Sequence, residues 1–366
     1  MEIRKLGFAG PANLPKLVYL TLFTGMLKRP VSLVIKGPSG AGKSYSLNAG
    51  KQFIPPSAYE QYEGMSEKAL VYLKNLDLKH KHLVIGEAAG MAEGSGRTLV
   101  RQLLSEGKVR YATVQSTNDG LDGVELPSLE GPCGLIMTTT ATGLHPEDES
   151  RMLSVDVQES PQQIGDALVA QALGAGVIPN EPDTDAWFAL YEYARLGPKL
   201  VKIPFALPLA KRLPRTHDRI KRDFPQVLSL IAASALMHDC SREHSHDGVP
   251  IATIDDYKTV FDLVNAPLSV GLNAAVPESI RQAVETVEHE SNQPGKAATY
   301  GGISVSKLAD LMQRDQGSTS RLVQRAVDEG YLQNQNPGQG REARLLVGER
   351  EVPAGSVLPS PHELVW

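Results

Sequence analysis

The chain has 366 residues, 41% of them hydrophobic and 22% charged, and a formal net charge of -5; this length exceeds a single core and predicts two or three domains, while the acidic balance excludes a global pull on a polyanion, so nucleic-acid contact has to be local. Cys133 and Cys240 stand far apart with no Cys-x-x-Cys partner, which excludes a disulfide framework and a structural zinc site and fits a reducing compartment. No apolar run approaches the roughly 20 residues of a membrane span, and Met1-Glu2-Ile3-Arg4 lacks a secretory apolar region, so a soluble, cytoplasmic protein with no membrane partner is expected.

Residues 31–200 alternate short β-rich runs (Val31–Ile35, Leu83–Ile85, Leu135–Thr139) with helical or polar stretches, the rhythm of an α/β fold in which helices cover a parallel sheet. The first run, Val31-Ser32-Leu33-Val34-Ile35, feeds Gly37-Pro38-Ser39-Gly40-Ala41-Gly42-Lys43-Ser44, a complete G-x-x-x-x-G-K-[ST] loop followed by Tyr45. In such a P-loop the glycines let backbone amides face phosphates, Lys43 spans the β- and γ-phosphates and the Ser44 hydroxyl binds magnesium, so ATP and Mg2+ are the expected cofactors. The second run, His82–Ile85, ends at Gly86-Glu87, where a hydrolysing P-loop protein carries its Walker B acid. Glu87 is therefore the candidate base and a candidate magnesium contact. Many P-loop enzymes have Asp before this Glu; Gly86 leaves water to complete the magnesium shell.

A helix over Gly96–Glu106 and a hairpin pairing Lys108–Val114 with Gly123–Leu129 come next. The third strand, Gly134–Met137, runs into Thr138-Thr139-Thr140, where the hydroxyl of Thr140 or Thr139 can orient the lytic water. Beyond it, in Glu147-Asp148-Glu149-Ser150-Arg151, Arg151 can reach a neighbouring subunit's ATP and stabilise transition-state charge; the alternative is an ion pair with its own Glu147 or Glu149. From about Pro204 the pattern becomes helical, with Phe224–His238 and Ile254–Val264 at helical spacing and Asp255 or Thr253 as cap. A helix over Pro277–Glu290 runs into the linker Ser291–Gly295, and a winged-helix pattern follows: Val305–Gln313, Ser318–Glu329 and two short strands around Pro337-Gly338. The expected division is 1–203 α/β nucleotide-binding core, 204–292 helical lid, 293–348 winged helix and 349–366 extended tail.

Three further groups invite a function. Between Lys199 and Arg222 there are eight Lys or Arg against one Asp, a run that serves either the ATP site and subunit interface or a polyanion. In the winged helix, Ser318, Thr319, Ser320, Arg321, Gln324 and Arg325 lie near the start of the second helix, and Arg341 and Arg344 lie in the wing; these could meet DNA, or the module could bind protein. The stretch His238–Asp247 is rich in His and Asp, but it lacks a second cluster to complete a tetrahedral shell and is expected to be a solvated loop.

The order of P-loop, strand ending in Glu87, Thr-rich strand, Arg151 and helical lid resembles AAA+ ATPases over about residues 10–270. The helix and hairpin between Glu87 and Thr138 resemble the pre-sensor-1 insertion of minichromosome-maintenance and related ring helicases. The phrases Gly64-Met65-Ser66-Glu67-Lys68-Ala69-Leu70, Leu103-Leu104-Ser105-Glu106-Gly107 and Arg222-Asp223-Phe224-Pro225-Gln226 resemble AAA+ proteins of phages and mobile elements, often labelled DNA primase or helicase. The resemblance implies a homo-oligomeric ring, a hexamer, with Arg222 as the sensor 2 arginine and Arg219 as its fallback. It implies ATP-driven translocation on DNA during replication of a mobile element, with Lys108, Arg110 and Asn118 of the hairpin meeting phosphates. The hairpin tip, Gln115–Gly120, departs from the family in carrying no Lys or Arg, and no primase signature is present. Two rival expectations follow: an ATP-dependent switch or loader that recruits replication proteins, and a DNA-bound regulator whose ATPase sets its oligomeric state.

Overall fold

A computed structural model describes residues 2–5, 8, 10–66, 68–73, 76–87, 95–117, 120–140, 145–157, 160–175, 182–214, 219–274, 276–291, 302–338, 342–350, 352 and 356–364. The chain forms two compact units, Met1–Arg212 with Lys221–Pro267 and Leu358–Trp366, and Leu213–Ile220 with Leu268–Val357.

The first unit opens with helices α1 (Glu2–Lys5) and α2 (Asn13–Phe23), then strand β1 (Leu33–Lys36), helix α3 (Lys43–Lys51), strand β2 (Tyr59–Tyr62), the single turn α4 (Ala69–Tyr72) and strand β3 (Lys81–Ile85). Helix α5 (Ser95–Glu106), four short strands β4 (Lys108–Val109), β5 (Ala112–Thr117), β6 (Gly120–Glu125) and β7 (Leu129–Glu130), and the long strand β8 (Cys133–Thr139) follow. The turn α6 (Pro146–Glu149) and strand β9 (Leu153–Asp156) complete the α/β part, and α7 (Pro161–Gly174), α8 (Asp185–Leu196), α9 (Ala206–Arg212), α10 (Ile220–Met237) and α11 (Ile254–Ala274) come after it, the second unit taking Ile220 of α10 and α11 from Leu268 onward.

Five strands make one wholly parallel sheet in the order β2-β3-β8-β1-β9. Its three central strands are buried nearly throughout, which is why their sequences read as unbroken apolar runs rather than alternations. A core of Leu70, Leu83, Ile85, Leu99, Leu103, Leu135 and Met137 seals α4 and α5 against one face. His82 is fully buried in β3 and its Nε2 lies 2.9 Å from the Val31 carbonyl. Since a carbonyl only accepts, Nε2 carries the proton; burial then pushes this imidazole down to about 4, so it is neutral at pH 7.

The structure sharpens the sequence reading at several places. The hairpin expected after α5 forms, as two short antiparallel ladders, β4 with β7 and β5 with β6, with the Leu126 amide on the Tyr111 carbonyl at 2.9 Å between them. Helix α10 begins at Ile220 and α11 runs to Ala274, so Pro225 and Pro267 lie inside helices that were expected to start or stop near them; packing outweighs the lost backbone bond and the local clash that a proline brings. The tail read as extended ends in a 3-10 turn, Pro361–Leu364, with Leu364 buried. It is fastened within its unit by the Tyr257 hydroxyl on the Pro359 carbonyl at 2.6 Å and the Leu358 amide on Asn265 at 3.0 Å. Thr253, not Asp255, starts α11: its carbonyl accepts from Asp256 and Tyr257, and the Asp256 side chain reaches back to its amide at 2.9 Å.

In the second unit, helices α12 (Glu278–Ser291), α13 (Val305–Leu311) and α14 (Gln316–Asp328) surround a core of Ile280, Val284, Val287, Leu308, Val323 and Tyr331. Strands β10 (Leu332–Asn334) and β11 (Leu345–Val347) pair antiparallel, and Ile303 bridges to Leu345 on the other edge of β11. Asp315 caps α14 through the Ser318 amide. No helix among the described residues is long and apolar enough to cross a membrane.

Candidate functional site

The C-terminal edge of a parallel sheet is where α/β proteins collect ligand-binding loops, and the Gly37–Ser44 loop leaves β1 at that edge. Gly42 has φ +69°, the left-handed conformation that only glycine adopts without strain, and α3 starts from it with no side-chain cap. A Cβ on Gly37 would lie 2.6 Å from the Val157 carbonyl, so this glycine lets the chain beyond β9 close on the loop. Lys43 is buried, and its ammonium donates to the carbonyls of Gly37 and Pro38 at 2.8 and 2.7 Å. The charge is thus held inside the loop rather than in solvent. Pro38, Ser39, Gly40, Ser44 and Tyr45 are exposed, Ala41 is buried, and the Tyr45 ring stacks on Phe8 at 5.0 Å and 9°.

Strand β8 lies between β1 and β3. Its register sets Thr139 beside Lys36 and Met137 beside Ile85, so Glu87 and Thr139, each two residues past a paired position, end at one level of the edge. The Gly37 amide donates to the Thr139 carbonyl at 3.3 Å, and the Thr138 hydroxyl donates to the Gly86 carbonyl. Thr138 is thereby committed to the sheet, while Thr140 is exposed just beyond it. Glu87 is exposed, with its amide on the Glu63 carbonyl at 2.9 Å. Parallel pairing therefore brings Lys43, Ser44, Glu87 and the threonines to one edge, as their motif positions require.

The arginines converge on α6. Arg151 bonds Ser105 and lies 3.5 Å from Glu147, which is the intrachain pairing weighed as the alternative. Arg101 holds Glu147 at 2.6 Å and Asp148 at 3.0 Å; Lys36, buried at the end of β1, holds Glu149 at 2.8 Å and Asp156 at 3.5 Å. Arg222, in the first turn of α10, bonds Ser150, next to Arg151. Arg219 lies beside Gly271.

The candidate DNA contacts are differently placed. Lys108 pairs with Glu130 at 3.1 Å, and Arg110 grips Glu125 through two bonds of 2.7 and 3.0 Å. Arg325 pairs with Glu329 at 2.7 Å, and Arg321 and Arg344 are exposed. Asn118 and Arg341 lie outside the described residues. In the stretch at 238–247, expected to be a solvated loop, Asp239 is buried and accepts from His244 at 2.9 Å, while Arg242 forks onto Asp256 at 2.7 and 3.0 Å. Burial alone would raise the Asp256 carboxyl; bonds from Arg242, the Thr253 amide and Ser234 outweigh it and bring the group below the ordinary carboxylate range.

Sequence reasoning missed Lys36, Glu63, Arg101 and Phe8. Gly86, standing where an aspartate is usual, was the available signal for Glu63; the other three depend on long-range packing that no local pattern announces.

The strand order and the loop together decide the fold class. The first unit is built on a P-loop α/β core. Among solved structures, the chain is similar to one described as "SCCmec type IV Cch - active helicase", at 12% identity and TM-score 0.37, over 92% of this chain and 67% of that one. It is also similar to NtrX from Brucella abortus in complex with ATP, at 14% identity and TM-score 0.28 over 87% of this chain and 69% of that one. The ADP complex of NtrX gives 14% identity and TM-score 0.30 over 88% and 70%. No protein-family model and no curated protein matches the chain. The fold assignment rests on the strand order and the loop geometry rather than on these likenesses.

Proposed function

We propose that the protein is an AAA+ ATPase that binds ATP at Gly37–Tyr45 and hydrolyses it with Glu87. The carrying observation is the shared sheet edge: a glycine-curled loop with a buried lysine at the end of β1, an acid at the end of β3, and a threonine-bearing strand between them. The donor set fits a magnesium–triphosphate. The uncapped start of α3 favours anions, and Lys43 can exchange two carbonyls for phosphate oxygens. Ser44 and Glu87 would be the oxygen donors that hold magnesium, which would supply positive charge to offset that of the phosphates. Glu87 would take the proton of the attacking water, and Thr140 or Thr139 would orient that water. Arg151 would exchange Glu147 for a neighbouring protomer's γ-phosphate, and Arg222 would act as sensor 2.

The finer reading is a ring, a hexamer, that translocates on DNA during replication of a mobile element. Support for assembly comes from α7, a capped 14-residue helix with no buried residue that leaves Ile164, Leu168, Val169 and Leu173 exposed. For DNA, the arrangement of α12, α13, α14, β10 and β11 supports a winged helix whose Arg321, Arg325, Arg341 and Arg344 meet phosphates. One observation favours a second reading, the ATP-dependent switch or loader that recruits replication proteins: Lys108 and Arg110, the hairpin's cations, are both spent on carboxylates. Steady-state ATP turnover with and without single-stranded DNA separates the two. The motor reading expects turnover that DNA stimulates and that Glu87→Gln lowers by about 100-fold or more without loss of ATP binding. Indifference to DNA supports the switch, and Glu87→Gln turnover equal to wild type removes both.

A further inference from the structure

Glu87 is preceded by a residue with no side chain, so β3 itself cannot supply the second carboxylate that P-loop hydrolases commonly place there. The neighbouring strand fills that space. Glu63 follows β2, which pairs in parallel with β3 so that Tyr62 lies opposite Ile85. The Gly86 amide donates to the Tyr62 carbonyl and the Glu87 amide to the Glu63 carbonyl, both at 2.9 Å, extending the ladder past the named strands and fixing Glu63 against Gly86. A Cβ built on Gly86 would lie 2.6 Å from Glu63 Oε2. That is closer than non-bonded atoms approach and within the reach of an aspartate carboxylate from its own Cβ. The Glu63 carboxylate therefore occupies the volume that an aspartate at 86 would need.

The side chain is aimed rather than loose. Gln61 Nε2 donates to Glu63 Oε1 at 2.9 Å, and Gln61 in turn accepts from Lys51 at the end of α3. Tyr59 is also under Lys51, at 5.4 Å from its ring centroid. Residues 59, 61 and 63 thus share the sheet face turned to Lys51, the last residue of the helix whose first turn carries Ser44. Lys51 is the cation nearest Glu63 in these interactions; burial lowers its amine and the Glu63 charge partly offsets that.

The geometry points to Glu63 as the second carboxylate of the magnesium site, supplied by β2 in place of the residue missing at 86. This rests on the nucleotide-site reading above and names a group outside its motif. Alternatively, Glu63 only steadies β2 against Lys51, and the test has to separate the two roles. A fluorescent ATP analogue is titrated with the full chain at increasing MgCl2, for wild type, Glu63→Ala, Glu63→Gln and the double variant Glu63→Ala with Gly86→Asp, each checked for an unchanged thermal midpoint. Gly86 is not among the glycines with positive φ, and removing Glu63 clears the space that an aspartate there would occupy.

The assignment expects Glu63→Ala and Glu63→Gln to need about tenfold or more magnesium for half-maximal effect on nucleotide affinity, with magnesium-free affinity unchanged. Aspartate at 86 should restore the wild-type requirement. A wild-type magnesium requirement in both Glu63 variants, or no restoration by Gly86→Asp, overturns the role of Glu63 while leaving the nucleotide site intact. Wild-type binding indifferent to both magnesium and Lys43→Ala overturns the nucleotide site, and Glu63's role with it.

Discussion

At the scale of single residues, His82 links sheet packing to pH. Folded, its ring is sealed between strands and held down to about 4; unfolded, it returns to its ordinary value of 6.5. Between those values the unfolded chain binds the extra proton, so stability is complete above the unfolded value, falls as pH drops through the interval, and levels off below about 4. The sign is that of a base whose folded state resists protonation. From pH ~7.5 to ~5 this group alone should cost about 2 kcal/mol. Urea unfolding of wild type and His82→Gln, which keeps a donor for the Val31 carbonyl, checks it: the wild type should lose about that much more than the variant. Equal losses would contradict the burial argument. Lys43 makes a related point about legibility. Its place in a P-loop was readable because spacing alone sets the turn, but its two carbonyl partners were not, since they depend on how the loop curls.

At the scale of elements, the sequence announced what local physics dictates and missed what register dictates. Strands β1, β3 and β8 were legible because burial on both faces demands unbroken apolar runs, and each ends in residues with chemistry attached. The pairs Arg110–Glu125 and Lys108–Glu130 were not legible, because they exist only once strands 15 and 22 residues apart are aligned. The same holds for Glu63, whose value comes from the strand beside it. Helix α7 poses a different question. A capping box formed by Ser160 and Gln163 starts it, yet an isolated helix of about 14 residues is marginal in water, and its apolar side chains face solvent. If a second copy covers them, light scattering in ATP should find the wild type assembled and the double variant Leu168→Glu with Leu173→Glu monomeric, while ATP affinity stays unchanged. Assembly of the variant equal to wild type would remove α7 from the interface.

For the whole molecule, the net charge of -5 gives no global pull on a polyanion, and the two cations of the hairpin are paired with carboxylates. The proposed ATPase rests on the phosphate loop: Glu87 and Glu63 would matter because a triphosphate bound there would lie at their edge of the sheet, and Arg151 because a neighbour's triphosphate would draw it from Glu147. The most direct measurement is equilibrium binding of ATP to Lys43→Ala beside wild type, with both proteins shown to be folded by circular dichroism. Losing a buried charged donor to phosphate should weaken binding by about 100-fold. Affinity equal to wild type would contradict the account at its centre.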